Sequence, residues 1–173
     1  MAKGKWAQGI RPRGFHWIIQ DRLAICERPG GYGANHRRVR RQEEVIWIRE
    51  NDFSYVVSLI PSDHNLHSYD EQGMPWKHWP FAPSLDLEGA LPKIYGEMQA
   101  LLADDRKLLI HMEEVGDRLA GLMAGYLRWT GMVPVTFDAI MILEQILGRQ
   151  MGPSGRTIVA AAEAAANRRP CDA

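Results

Sequence analysis

Residues 107–127 read KLLIHMEEVGDRLAGLMAGYL. Lys107 to Ile110 is a short, almost unbroken apolar run closed by His111, the pattern of a strand buried on both faces. From Arg118 to Trp129 apolar residues recur at helical spacing, and Gly131 ends the pattern. Met112 to Asp117 form the short loop between them. Strand, short loop and helix N-terminus is an arrangement suited to anions: first-turn N–H groups lack partners within the helix, and the helix dipole favours negative charge. It is also part of a crossover unit, which predicts parallel strands.

Working outward, the same two periodicities recur. His16–Gln20 and Arg22–Cys26 read as two strands of a hairpin, split by the polar pair Gln20-Asp21. Arg28-Pro-Gly-Gly-Tyr-Gly33 is a loop. A helix is predicted from about Arg41 to Glu50, and Tyr55–Ile60 is a buried central strand. Pro61–Gly73 reads as a polar loop and Trp76–Phe81 as another strand. Ser84 is the predicted N-cap of a helix reaching Ala103, with Leu87, Leu91, Ile94, Met98 and Leu101 on one face. Pro134 and Thr136 open a helix to Leu147, and an alanine-rich helix covers Pro153–Ala166. The expected fold is α/β: a single domain over 15–166, with a mixed, mainly parallel central sheet flanked by helices. Residues 1–14 read as a flexible basic arm and 167–173 as a polar tail.

Composition narrows the function classes. The chain has 173 residues, with 46% hydrophobic and 24% charged residues, the balance of an ordinary globular domain. Its 21 Lys and Arg match 21 Asp and Glu, so bulk charge predicts neither a nucleic-acid nor a membrane partner. No apolar stretch is long enough to span a bilayer. The two cysteines, Cys26 and Cys171, suggest neither a disulfide framework nor a metal site, and a cytoplasmic location is expected. Asp63, His64, His67, Asp70 and His78 match no strong metal template, so no metal and no cofactor is expected. The oligomeric state is not legible.

The stretch 107–127 resembles the tyrosine and dual-specificity phosphatases. In that family a strand leads into His-Cys, five residues and an Arg at the start of a helix. The resemblance extends in order over about residues 15–160. Phe15–Pro29 resembles the opening hairpin, Glu44–Ile48 and Tyr55–Leu59 the first helix and next strand, and His78-Trp79-Pro80 the approach to the acid loop. It implies a dual-specificity-phosphatase-like fold with a phosphate-binding loop at 111–118, in which loop amides and Arg118 hold a phosphate. A cysteine thiolate would attack phosphorus and an aspartate would protonate the leaving oxygen.

The departures from that pattern shape the functional expectation. Met112 stands at the cysteine position, and a thioether has no thiolate form. Val115 replaces a mid-loop glycine, and Leu119 the usual Ser or Thr. Glu113 and Glu114 put negative charge beside an anion site. Pro83 falls near the expected aspartate. Asp86 is the nearest substitute acid, with a second role open to it as a favourable carboxylate at a helix N-terminus.

The candidate anion-binding residues are Arg118, Glu113, Glu114, Val115, Gly116 and Asp117, with His111 in support. Arg118 has two readings: a bidentate clamp on phosphate or carboxylate, or an internal partner of Glu113, Glu114 or Asp117. Arg37, Arg38, Arg40 and Arg41 form a basic run that is either a patch for an anionic ligand or a solvated helix start. The chain is expected to be a catalytically inactive phosphatase-like protein, or pseudophosphatase. It would be a binding or regulatory module for a phosphorylated ligand or a protein partner. A weak or altered phosphatase and a structural protein with a collapsed pocket are the alternatives.

Overall fold

The computed structural model describes residues 8–170. They divide into two compact units, each assembled from separate stretches of the chain. The first takes in the chain up to Ala82 together with Leu102–Val115; the second takes in Pro83–Leu101 and the chain from Gly116 onward.

The first unit holds a five-stranded sheet: β1 (His16–Ile19), β2 (Leu23–Cys26), β3 (Tyr55–Ser58), β4 (Trp76–His78) and β5 (Leu108–His111), ordered β1-β2-β5-β3-β4. β1 and β2 pair antiparallel, and every other pairing is parallel. The α/β class and the mainly parallel mixed sheet match the sequence expectation. β5 lies between β2 and β3, so all four of its residues are buried, and Leu108-Leu109-Ile110 satisfies that environment on both faces. The hairpin turns at Asp21, whose positive φ of 59° an Asp tolerates.

Helix α1 (Arg38–Glu50) supplies Val45 and Ile48 to a core with Ala24, Cys26, Val56 and Leu109. Aromatic rings extend that core. Phe15 meets Trp17 edge-on at 5.1 Å and Trp47 at 5.2 Å, and the Lys107 ammonium lies 4.7 Å from the Phe53 centroid.

α1 starts three residues earlier than its sequence pattern indicates. Arginine is a good helix former, and Arg40 pairs with Glu44 one turn on at 2.8 Å, which offsets the cost of cations at a helix N-terminus. The stretch 61–73, expected as loop, contains the short helix α2 (His67–Glu71). The strand expected over 76–81 stops at His78, ahead of Pro80. The expected flexible arm lies outside the described residues as far as residue 7. Residues 8–14 are held, with the Ile10 N–H donating to the Glu43 carbonyl at 3.0 Å and Arg11 lying 4.6 Å over the Phe15 ring.

The second unit is helical: most of α3 (Leu87–Ala103), with α4 (Asp117–Trp129), α5 (Thr136–Leu147) and α6 (Pro153–Asn167). α3 begins at Leu87 rather than after Ser84. The reason is a better cap: the Asp86 carboxylate accepts from the N–H groups of Glu88 and Gly89, both at 3.2 Å. Gly121 and Gly125 are small because neighbours within the helical unit stand against them. A Cβ on Gly121 would overlap the backbone of Gly155 on α6, and one on Gly125 would meet the Tyr95 hydroxyl and the Ala162 methyl. That hydroxyl donates to the Leu122 carbonyl at 2.9 Å. Of the expected polar tail, 171–173 lie outside the described residues. Asn167 closes α6, and Arg169 stacks 3.8 Å from the Trp129 ring centroid.

Because the obstacle at Gly121 is backbone, it cannot rotate away. Gly121→Ala is therefore expected to lower stability by about 1–3 kcal/mol in urea denaturation, whereas the same substitution at Gly96, whose Cβ would meet nothing within 4 Å, should be neutral or slightly stabilising.

Candidate functional site

The parallel register aligns Cys26, His111, Ser58 and His78 across the C-terminal ends of β2, β5, β3 and β4. Strand ends of this kind are where α/β sheets place their sites. His111 is 1% exposed. Its Nδ1 lies 3.2 Å from the Met112 carbonyl and its Nε2 lies 3.0 Å from the Tyr69 hydroxyl. A carbonyl only accepts, so Nδ1 carries the ring proton and Nε2 accepts from Tyr69. Burial, reinforced by the nearby charges of Arg28 and His78, lowers the His111 pKa to about 4 against the Met112 hydrogen bond that raises it. The ring is neutral at pH 7. Its partner Tyr69 lies in the stretch 61–73 that the sequence reads as a polar loop.

Beyond His111, residues Met112–Val115 belong to the sheet unit. Arg28 holds Glu113 through Nη1, at 3.1 and 3.3 Å from the two carboxylate oxygens, and its Nη2 donates to the His64 carbonyl at 3.2 Å. The Arg28 N–H donates to the Glu113 carbonyl at 3.3 Å, so the two loops are tied by backbone and side chain alike. Glu114 is exposed and accepts from the Tyr32 hydroxyl at 3.3 Å; its charge, and then that hydrogen bond, raise the tyrosine pKa. Val115 avoids the left-handed region, so this position does not need the glycine of the family pattern. Its bulk is met by Gly14, where a Cβ would come within 2.9 Å of the Val115 side chain.

Gly116, Asp117 and Arg118 belong to the helical unit. Gly116 caps α4 without a side-chain hydrogen bond. The Asp117 carboxylate accepts from the N–H groups of Gly152 and Gly155, at 2.5 and 2.6 Å. It thereby serves as the N-terminal cap that Gly152 cannot supply to α6. Arg118 is half-buried in the first turn of α4; burial lowers its pKa, but a guanidinium stays charged. Leu119 is fully buried. Asp86, the substitute acid, is exposed and occupied in capping α3.

The basic run separates into four different environments. Arg37 donates to the carbonyls of Ala34 and His36, both at 2.9 Å. Arg38 is exposed. Arg40 is paired with Glu44 and, at 4.0 Å, Glu27. Arg41 is buried, with Nη1 3.0 Å from His36 Nε2. Neither Arg28 nor Tyr69 belongs to a motif that would reveal its role, because their partners lie 85 and 42 residues away.

These elements, in this order and register, define an α/β fold of the cysteine-dependent tyrosine and dual-specificity phosphatase type. Among solved structures, the chain is similar to kinase associated phosphatase carrying serine for its catalytic-site cysteine (TM-score 0.73, 17% identity, 92% of this chain and 98% of that one). It is also similar to Tk-PTP in its active form (0.67, 17%, 87% and 96%) and to human DUSP28 (0.66, 13%, 91% and 99%). At such identities the likeness speaks to the fold alone. No protein-family model matches the chain, and no curated protein matches it in sequence.

The buried histidine makes stability depend on pH. Its folded pKa of about 4 lies below the unfolded value of 6.5, so the unfolded chain takes up the proton first. Stability should fall as pH drops from 6.5 toward 4, by up to about 3 kcal/mol. His16 and His36 are shifted in the same direction. The His111 share is therefore the difference in pH slope between wild type and His111→Gln, with the variant expected to be flatter. Asp117→Ala should cost about 1–2 kcal/mol in denaturant unfolding through the lost α6 cap.

Proposed function

We propose that the protein is a catalytically inactive phosphatase-like module that binds an anionic ligand or a protein partner through segment 111–118. The observation that carries this reading is the identity of the residue after His111. Met112 follows β5 directly, at the position where the resemblance places the attacking thiolate, and a thioether neither ionises nor displaces oxygen from phosphorus.

The other described cysteine position offers no replacement. Cys26 is fully buried in β2, and burial, followed by the charges of Glu44 and Glu27, pushes its thiol pKa well above the ordinary value. The carboxylates that a water-based mechanism would need have structural partners: Glu113 is held by Arg28, Glu114 accepts from the Tyr32 hydroxyl, and Asp117 accepts from the α6 amides. Loss of a covalent nucleophile costs on the order of 10⁴-fold or more in rate. Support for retained binding is chemical: Arg118 remains charged, and it stands in the first turn of α4, where the helix dipole favours negative charge. The fixed carboxylates favour a second reading, an interaction protein whose ligand is not an anion.

The expected outcome is p-nitrophenyl phosphate turnover no higher than a buffer blank, with Met112→Cys raising it measurably. Turnover by the wild-type chain that Arg118→Ala abolishes would overturn the inactive reading. Binding of a phosphotyrosine peptide, weakened at least about tenfold by Arg118→Ala, separates the anion-binding module from the interaction protein.

A further inference from the structure

We propose that Arg41 and Arg28 frame a second anion site, independent of Arg118, that receives one oxygen of a phosphate-type oxyanion. The site is a narrow cleft in the sheet unit, lined among others by Arg28, Arg41, Ser58, His64, Tyr69 and His111, with no carboxylate in its wall.

Arg41 is the reason to expect a ligand. Its residue is only 9% exposed, yet its Nε has no hydrogen-bond partner. Among the described residues it has no carboxylate within ion-pair distance; its Nη1 meets a histidine ring nitrogen instead. A buried cation without a counter-charge is costly, and chains that retain one ordinarily pair it. The neighbouring arginines illustrate that rule, since Arg40 is held by Glu44 and Arg28 by Glu113. The surrounding field adds to the positive potential. Burial lowers the Arg41 pKa, and the charges of Arg28 and Arg38 lower it further, with Tyr69 and Glu71 acting the other way. His36 experiences the same cluster, through Arg41, Arg28, His64 and Arg37.

The shape of the cleft limits what enters. It offers only about 10 Å³ of space, room for one water-sized atom. It can therefore accept a single oxygen, with the rest of the ligand at the mouth. Tyr69 already donates its proton to His111, so it brings no donor to the cleft. The donors left for an anion are the Arg41 guanidinium beyond the Nη1 that meets His36, the Arg28 N–H groups not taken by Glu113 and the His64 carbonyl, and the Ser58 hydroxyl. Guanidinium groups match tetrahedral oxyanions in geometry. Free phosphate and a phosphate monoester share this chemistry.

The test uses the full chain carrying Arg118→Ala, which removes the other anion-binding arginine from consideration. Thermal melts are recorded with inorganic phosphate, and separately with phenyl phosphate, against potassium chloride of equal ionic strength. Phosphate at ten times its Kd should raise Tm by about 4 °C, and adding Arg41→Gln should reduce that rise to under about 1 °C. A rise with phenyl phosphate as well would identify an ester-accepting mouth; a rise with phosphate alone would identify a free-oxyanion site. Arg41→Met should melt no lower than its parent in chloride buffer, because it removes an unpaired buried charge. If Arg41→Gln does not fold, Arg28→Gln takes its place and should lose most of the shift. No phosphate-dependent rise in the Arg118→Ala chain, or a rise that survives the cleft substitutions, would overturn the proposal.

Discussion

Strand β5 has parallel neighbours on both edges, and this constraint governs everything at its C-terminal end. All four of its residues are sealed from solvent, so His111 projects into a low-dielectric row beside Cys26 and Ser58. Each buried polar atom there must find a partner or bear its desolvation cost. His111 finds two, Tyr69 and the Met112 carbonyl, and stays neutral. Cys26 finds a nonpolar role: burial keeps its sulfur protonated, so the one described cysteine is chemically silent. The environment that fixes the strand end thus also determines which of its groups can react.

Downstream of β5, side chains that resemble components of an anion site serve as mechanical links. Glu113 joins its loop to Arg28, with a backbone hydrogen bond beside the ion pair. Val115 adds volume where the family pattern has glycine, and Gly14, at φ 62°, yields the space. Asp117 closes the N-terminus of α6, whose own cap residue is a glycine. A carboxylate committed to charge-assisted hydrogen bonds with backbone amides has little freedom to serve as a base. Each tie lies within its own unit: Glu113 and Val115 in the sheet unit, Asp117 in the helical unit.

The arginine-rich stretch shows that clustered charge in sequence is not one physical object. Helix geometry turns successive residues by about 100°. Arg40 therefore faces Glu44 across one turn, Arg38 faces water, and Arg41 goes under the surface toward Tyr69 and Arg28. Burial makes the last the most consequential of the four, since charge is expensive only where water cannot reach it.

The sequence alone determined the elements that rest on local physics. The apolar run 108–110, the helical spacing of 118–129, the helix over Thr136–Leu147 and the one opening at Pro153 all follow from periodicity and from Pro and Gly signals, which act over a few residues. The ordered motifs also made the fold class legible, and with it the absence of a thiol at position 112. Tertiary structure decided the partners. That Arg28 reaches Glu113, that a short helix in an apparent loop brings Tyr69 to His111, and that Gly121 abuts Gly155 depend on contacts across 85, 42 and 34 residues. No local pattern encodes such contacts, because they exist only once the chain has closed on itself and burial has made an unpaired polar group or an extra methyl costly.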